Sequence, residues 1–169
     1  FGLALHPDGR LLVVLSRLTN YATVIDTTTD KVLHHPPVDF YSTEAVFGPE
    51  GRLYVSNRWL DALVVYDTVA LDEGMGFTKV ATIPVAQNPR DVAISADGAI
   101  VAVASQTGLA VSLIDTAALV ERQRVDLEAP GIGVAFAGDF VVVPTLSAST
   151  HHLPTEGPDG DGDGHPGDN

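Results

Sequence analysis

The stretch AVFGPEGRLYVSN at residues 45–57 decides the fold. A short apolar run leads into Gly-Pro-Glu-Gly, and a second apolar run follows at once. Polar turn residues bond the nearby backbone, and Gly51 can supply the positive φ that a tight turn needs. The stretch therefore predicts a β-hairpin, in which two antiparallel strands are joined by a short turn.

The same pattern occurs three times, in segments 3–38, 44–85 and 91–127. The turn glycines of these segments are 42 and 47 residues apart, and an Asp-Thr pair follows them by 17, 16 and 17 residues. Spacing this regular indicates a repeat protein, with the extra residues of the second repeat in a loop insertion at 72–76. The glycines are Gly9, Gly51 and Gly98, and the pairs begin at Asp26, Asp67 and Asp115.

Each repeat contains four predicted strands. The second strand is almost entirely apolar, as at 11–15, which is typical of a strand covered on both faces. The fourth alternates polar with apolar residues, as at 79–83, which is typical of an outer edge strand. Four strands per repeat form one blade of a β-propeller. The sequence therefore predicts an all-β fold, a β-propeller sector of about three and a half four-stranded blades.

The predicted blades lie at 1–38, 39–86 and 87–128, with a partial blade at 129–150 and an acidic Asp/Gly-rich tail or linker at 151–169. A closed ring generally has four to eight blades. Either the remaining blades were lost or are encoded elsewhere, or the chain is a fragment. Because an open sector has bare strand edges, association through those edges is predicted.

The second repeat resembles the YVTN-type β-propeller repeat. The resemblance rests on LYVSN at 53–57, Asp-Thr at 67–68, IPV at 83–85 and NPRDVA at 88–93, and it extends over about residues 2–145. It implies a bacterial or archaeal protein that is extracellular, on the cell surface or periplasmic. Members of this family include binding modules, lactonase-like enzymes and propellers joined to cytochromes, so the resemblance implies a fold and no single reaction.

The tail carries aspartates at alternate positions separated by glycines. Carboxylates spaced in this way can surround one hard cation of the size of calcium. The run matches the first half of a calcium loop and resembles a thrombospondin type 3 repeat, in which a later acid completes the site. A bound Ca²⁺ is therefore predicted, and a solvated, disordered acidic linker is the alternative. The predicted ligands are Asp159, Asp161, Asp163 and Asp168.

Two groups of side chains are candidate ligand-binding residues. The loops between the second and third strands, and between blades, share one face of a propeller, and on the second blade they present Arg58, Trp59 and Asp61. An exposed Trp beside an Arg can stack on a ligand and donate hydrogen bonds to it. The alternative is that Trp59 packs between blades. The second group, predicted at the mouth of the central channel, consists of Glu44, Arg90 and Asp91.

Charge, hydropathy and motifs argue against several classes of function. The net charge of −13 argues against a nucleic-acid partner, and no apolar run is long enough for a membrane span. No phosphate loop, dinucleotide motif or recognisable catalytic triad occurs. The sequence favours a non-enzymatic binding or scaffold module whose loop face binds a protein or a small molecule. The alternatives are a sector of a lactonase-like or lyase-like enzyme, with the Glu44 group as its candidate catalytic residues, and a propeller partnered with a separate haem protein.

Overall fold

The computed structural model describes residues 2–68 and 77–146, where every regular element is a β-strand. No helix in these ranges is long and apolar enough to cross a membrane. The predicted calcium site and the loop insertion at 72–76 lie outside the described residues, and both stay predictions. The strands are β1 (Leu3–Leu5), β2 (Leu11–Leu15), β3 (Ala22–Asp26), β4 (Lys31–His34), β5 (Ser42–Phe47), β6 (Leu53–Asn57), β7 (Ala62–Asp67), β8 (Thr78–Pro84), β9 (Pro89–Ile94), β10 (Ile100–Ser105), β11 (Ala110–Asp115), β12 (Val120–Asp126), β13 (Ala135–Ala137) and β14 (Phe140–Val142).

The strands form four antiparallel sheets in chain order. Blade 1 is β1-β2-β3-β4, blade 2 is β5-β6-β7-β8, blade 3 is β9-β10-β11-β12, and the partial blade 4 is β13-β14. The first strands of neighbouring blades lie side by side, because β5 contacts both β1 and β9, and β9 contacts β13. This is the radial arrangement of a propeller, with the first strands innermost. The predicted fold class is confirmed.

The central strands of blade 2 pack against a neighbouring blade on each face. On β6, Leu53 and Val55 are buried against blade 1, whereas Tyr54 is buried against blade 3. On β7, Val64 faces blade 1 and Val65 faces blade 3, and both are fully buried. Successive side chains of a strand point to opposite faces, so a strand between two blades has no polar face. This explains why the second and third strands of each repeat are nearly all apolar.

The two residues of the Asp-Thr pair form hydrogen bonds with different parts of the blade. The aspartate closes its own turn, as where Asp26 Oδ1 accepts a hydrogen bond of 2.8 Å from the backbone N–H of Thr28. The threonine reaches back to the hairpin turn of its blade, where the Thr116 hydroxyl donates to the carbonyl of Gly98 at 2.7 Å. The threonine bond therefore joins the Asp-Thr turn to the hairpin turn of the same blade.

The two other threonines of this kind make the same bond. Thr27 donates to the Gly9 carbonyl at 2.7 Å, and Thr68 donates to the Gly51 carbonyl. Replacing Thr116 with valine keeps the shape of the side chain and removes this bond. We expect the free energy of unfolding to fall by about 1 kcal/mol, as measured by urea denaturation. The control is Thr82→Val on the exposed outer strand β8, which should change it by less than about 0.5 kcal/mol.

Blade 1 has an uncovered apolar face. Leu3 and Leu5 are 61% and 55% exposed, and they pair across the sheet with Val14 and Leu12 on the same face. On β7 of blade 2, where both faces are covered, Leu63 and Val65 are fully buried. The apolar surface available for association therefore lies on a sheet face, and it is broader than the strand edges considered from the sequence.

The chain alone should associate through this face, because a contiguous exposed apolar patch favours contact with a second copy. Light scattering after size exclusion is expected to give a mass above the 17.7 kDa of one chain. The double variant Leu3→Lys/Leu5→Lys should lower that mass, whereas Leu33→Lys, on the outer strand β4, should not. A monomeric mass for the unaltered chain at tens of micromolar would contradict the prediction.

Candidate functional site

Glu44 and Asp91 occupy the same position in adjacent blades. Each lies seven residues before the turn glycine of its blade, which is Gly51 for Glu44 and Gly98 for Asp91. Glu44 lies on β5 and Asp91 lies on β9, and these are the adjacent inner strands of blades 2 and 3. The two carboxylates lie close enough to interact electrostatically. Their place at the mouth of a central channel stays a prediction.

The carboxyl group of Glu44 has a perturbed acidity. Burial is the largest cause and raises the pKa of Glu44 above the ordinary value for glutamate. Nearby charges act in both directions, because the amino terminus and the Arg90 guanidinium lower the pKa whereas Asp91 raises it. None of the residues in the described ranges donates a hydrogen bond to this carboxylate. A partly buried carboxylate with a raised pKa, near an arginine, has the properties required of a general base.

Within the described ranges, Asp91 and Arg90 form side-chain hydrogen bonds, unlike the Glu44 carboxylate. Asp91 Oδ2 accepts a hydrogen bond of 2.8 Å from the backbone N–H of Val134, and Oδ1 accepts one of 2.9 Å from that of Val92. Asp91 thus connects blade 3 to blade 4. The exposed Arg90 donates one N–H to Gln106 Oε1 at 3.2 Å. Of the two carboxylates, Glu44 is the one available for proton transfer.

A second cluster lies where loops of blades 2 and 3 meet. Arg58 Nε donates to the side-chain oxygen of Asn88, whose Nδ2 donates to Thr107 Oγ1 at 3.0 Å. Asp61 Oδ1 accepts a hydrogen bond of 2.7 Å from the backbone N–H of Asn88. Trp59 is 73% exposed, so it does not pack between blades. These residues line the blade 2–3 groove, a groove of about 440 Å³, together with Tyr41 and Gln87.

The buried Asn57 organises one side of this groove. Its Oδ1 accepts a hydrogen bond of 3.0 Å from the backbone N–H of Trp59, and its Nδ2 donates to the carbonyl of Phe40 at 2.9 Å. The backbone N–H of Arg58 also donates to the carbonyl of Tyr41 at 3.2 Å. The loop before β5 and the loop after β6 are therefore held together, and the groove is formed before any ligand binds.

Tyr41 and Asn88 also line the groove, and neither was predicted from the sequence as a site residue. Both lie ten residues before the turn glycine of their blades, and both have a positive φ, of 66° and 58°. An alignment of the repeats on Gly51 and Gly98 could have identified them as equivalent positions in the loops between blades. Their chemistry alone gave no signal, because a tyrosine and an asparagine in loops are common.

A family model described as "Lactonase, 7-bladed beta-propeller" matches residues 44–122, slightly less than half of the chain. This match contains Glu44, Arg90 and Asp91, as well as Arg58 and Trp59. The comparison with curated proteins finds no significant match.

Solved structures provide broader matches. Hydrazine synthase of Kuenenia stuttgartiensis has a TM-score of 0.78 at 23% identity, over 89% of this chain and 43% of that one. A putative 6-phosphogluconolactonase of Bacteroides fragilis has a TM-score of 0.68 at 19% identity, over 80% and 41%. A second, from Bacteroides uniformis, has a TM-score of 0.66 at 17% identity, over 84% and 42%. The chain thus spans less than half the length of each of these structures, and its fold is that of a β-propeller sector.

Proposed function

We propose that the chain is part of a lactonase-like propeller enzyme that hydrolyses a cyclic ester, with Glu44 as the general base. The observation that carries this proposal is the partly buried Glu44 carboxylate, near Arg90 and Asp91, within the residues that match the lactonase propeller family. The putative 6-phosphogluconolactonases among the structural neighbours also support it.

The proposed reaction uses one water molecule. Glu44 accepts a proton from the water as its oxygen attacks the carbonyl carbon of the lactone. Arg90 retains N–H donors that can stabilise the negative charge developing on the carbonyl oxygen. When the ring C–O bond breaks, the protonated Glu44 returns the proton to the leaving oxygen, and a hydroxy acid is formed.

The sequence on its own favoured a non-enzymatic binding or scaffold module. The family match and the lactonase neighbours favour the enzymatic alternative instead. The YVTN-type repeat and a location outside the cytoplasm stay predictions from the resemblance.

The test is hydrolysis of aldonolactones by the full-length protein, because further blades are needed to close the channel. Glucono-δ-lactone and its 6-phosphate are suitable substrates, and acid release at constant pH is the readout. A rate proportional to protein concentration and above spontaneous hydrolysis would support the proposal. A rate equal to that of buffer for both substrates would argue for the binding-module function.

A further inference from the structure

The blade 2–3 groove has features of a ligand site that the proposed hydrolysis does not use. It shares no residue with the group formed by Glu44, Arg90 and Asp91. Its volume of about 440 Å³ falls in the range typical of small-molecule sites, about 300–1,000 Å³. Among the described blades, only the loop after β6 presents a tryptophan, and Trp59 is the single tryptophan of the chain.

The groove provides an aromatic surface. Trp59 has most of its ring exposed and makes an edge contact with Phe40, with ring centroids 6.4 Å apart. A large exposed aromatic ring next to hydrogen-bonding side chains suits a ligand with one apolar face and a polar rim. The C–H face of a sugar ring, surrounded by hydroxyl groups, has this character.

The groove is lined by one cation, Arg58, and by one acid, Asp61, whose Oδ1 accepts a hydrogen bond from the backbone N–H of Asn88. Neither Arg58 nor Arg17 forms an ion pair with an acid in the described ranges, although the net charge of the chain is −13. The Arg17 guanidinium lies 5.4 Å from the ring centre of Tyr41, which also lines the groove. The bond from Arg58 Nε to Asn88 holds the guanidinium, and no residue of 2–68 or 77–146 accepts a hydrogen bond from its terminal N–H groups. Such a fork suits a carboxylate or a phosphate.

Tyr41 lines the groove in a backbone conformation that Leu109 and Leu119 also adopt in turns outside it. Its φ of 66° is a left-handed conformation, which costs a bulky residue about 1–2 kcal/mol. Blade 3 has Asn88 at the equivalent position, and asparagine tolerates this conformation better.

We propose that the blade 2–3 groove binds a single sugar ring that carries a carboxylate or a phosphate. The ring stacks on Trp59, and the terminal N–H groups of Arg58 bind the anionic group. Asn88 positions Arg58, and Arg17 contributes positive charge at the Tyr41 side. The proposal does not depend on lactone hydrolysis, because no residue of the Glu44 group takes part.

The test uses Trp59 fluorescence as the reporter of binding. The chain is titrated with D-glucuronate, with D-glucose 6-phosphate and with D-glucose, and calorimetry provides a second readout. We expect a saturable change with at least one anionic sugar, at a Kd at least about tenfold below that for glucose. The preferred anion distinguishes a carboxylate ligand from a phosphate ligand.

Two variants and one control identify the contacts. Arg58→Gln should raise the Kd of the anionic sugar by about tenfold or more and leave glucose binding unchanged. Trp59→Ala, at an exposed position, should weaken all binding measured by calorimetry. Arg52→Gln, at the opposite end of β6, should change the Kd by less than about twofold. The proposal is overturned if neither anionic sugar binds up to tens of millimolar, if glucose binds equally well, or if Arg58→Gln has no effect.

Discussion

Replacing Glu44 with glutamine should lower kcat for lactone hydrolysis by the full-length protein by about 10²- to 10⁴-fold. Glutamine preserves the size of the side chain and cannot accept the proton of the attacking water. The variant should remain folded, because it removes a carboxylate whose ionised form is disfavoured by burial. Steady-state rates at saturating lactone measure the effect, and thermal unfolding verifies the fold.

The same residue should determine the acid side of the pH profile. Since burial raises the pKa of Glu44, the carboxyl becomes protonated at a higher pH than an ordinary glutamate. Hydrolysis should therefore decline as the pH falls through this raised pKa, and the residual activity of Glu44→Gln should lack that decline.

The matched control is Glu50→Gln, at an exposed turn on the other end of the blade. Glu50→Gln should leave kcat within about twofold of the value for the unaltered protein. If Glu44→Gln keeps full activity, Glu44 is not the base. Asp91→Asn is a poorer test, because it also weakens the hydrogen bond that connects blade 3 to blade 4.

Replacing Leu63 with alanine should destabilise the protein by about 2–5 kcal/mol, the second large effect we expect. Leu63 is fully buried in the core between blades 2 and 3, where it packs with residues such as Val101 and Val103. Its truncation leaves a cavity that the flanking sheets cannot fill without moving. Urea denaturation followed by circular dichroism measures the change.

Leu33→Ala is the control of the same residue type. Leu33 lies on the outer strand β4 and is 41% exposed, so its truncation should cost less than about 1 kcal/mol. Equal effects for the two leucines would mean that the blades do not share a packed core.

The fold could be predicted because its signals are local and repeated. The hairpin at Gly51 and the turn that Asp26 closes each depend on chemistry within a few residues. The repeat multiplies that signal threefold. The apolar character of β6 and β10 then follows from coverage on both faces. Proximity of Glu44 and Asp91 could also be predicted, since equivalent positions on adjacent inner strands must lie close together.

The groove could be predicted only in part. Arg58 and Trp59 could be selected from the sequence because an arginine beside a tryptophan is a common ligand-binding pair. The contact between Arg58 and Asn88 could not be predicted, because the two residues are 30 positions apart. That contact depends on how closely two blades approach each other and on the conformation of the loop before β9. The same holds for Asn57, whose role in joining two loops is visible only in three dimensions.

The sharing of β6 and β7 between two cores has a consequence for how the molecule loses structure. Blade 2 contributes one face to each of two interfaces, so it cannot open without breaking both, whereas within the 169 residues taken by themselves blade 1 and the partial blade 4 each break only one. In a linear array with nearest-neighbour coupling, opening begins at the ends. In these 169 residues by themselves, amide hydrogens of blade 1 and of the partial blade 4 should therefore exchange with solvent first, and those of blades 2 and 3, where the Glu44 group lies, should exchange last.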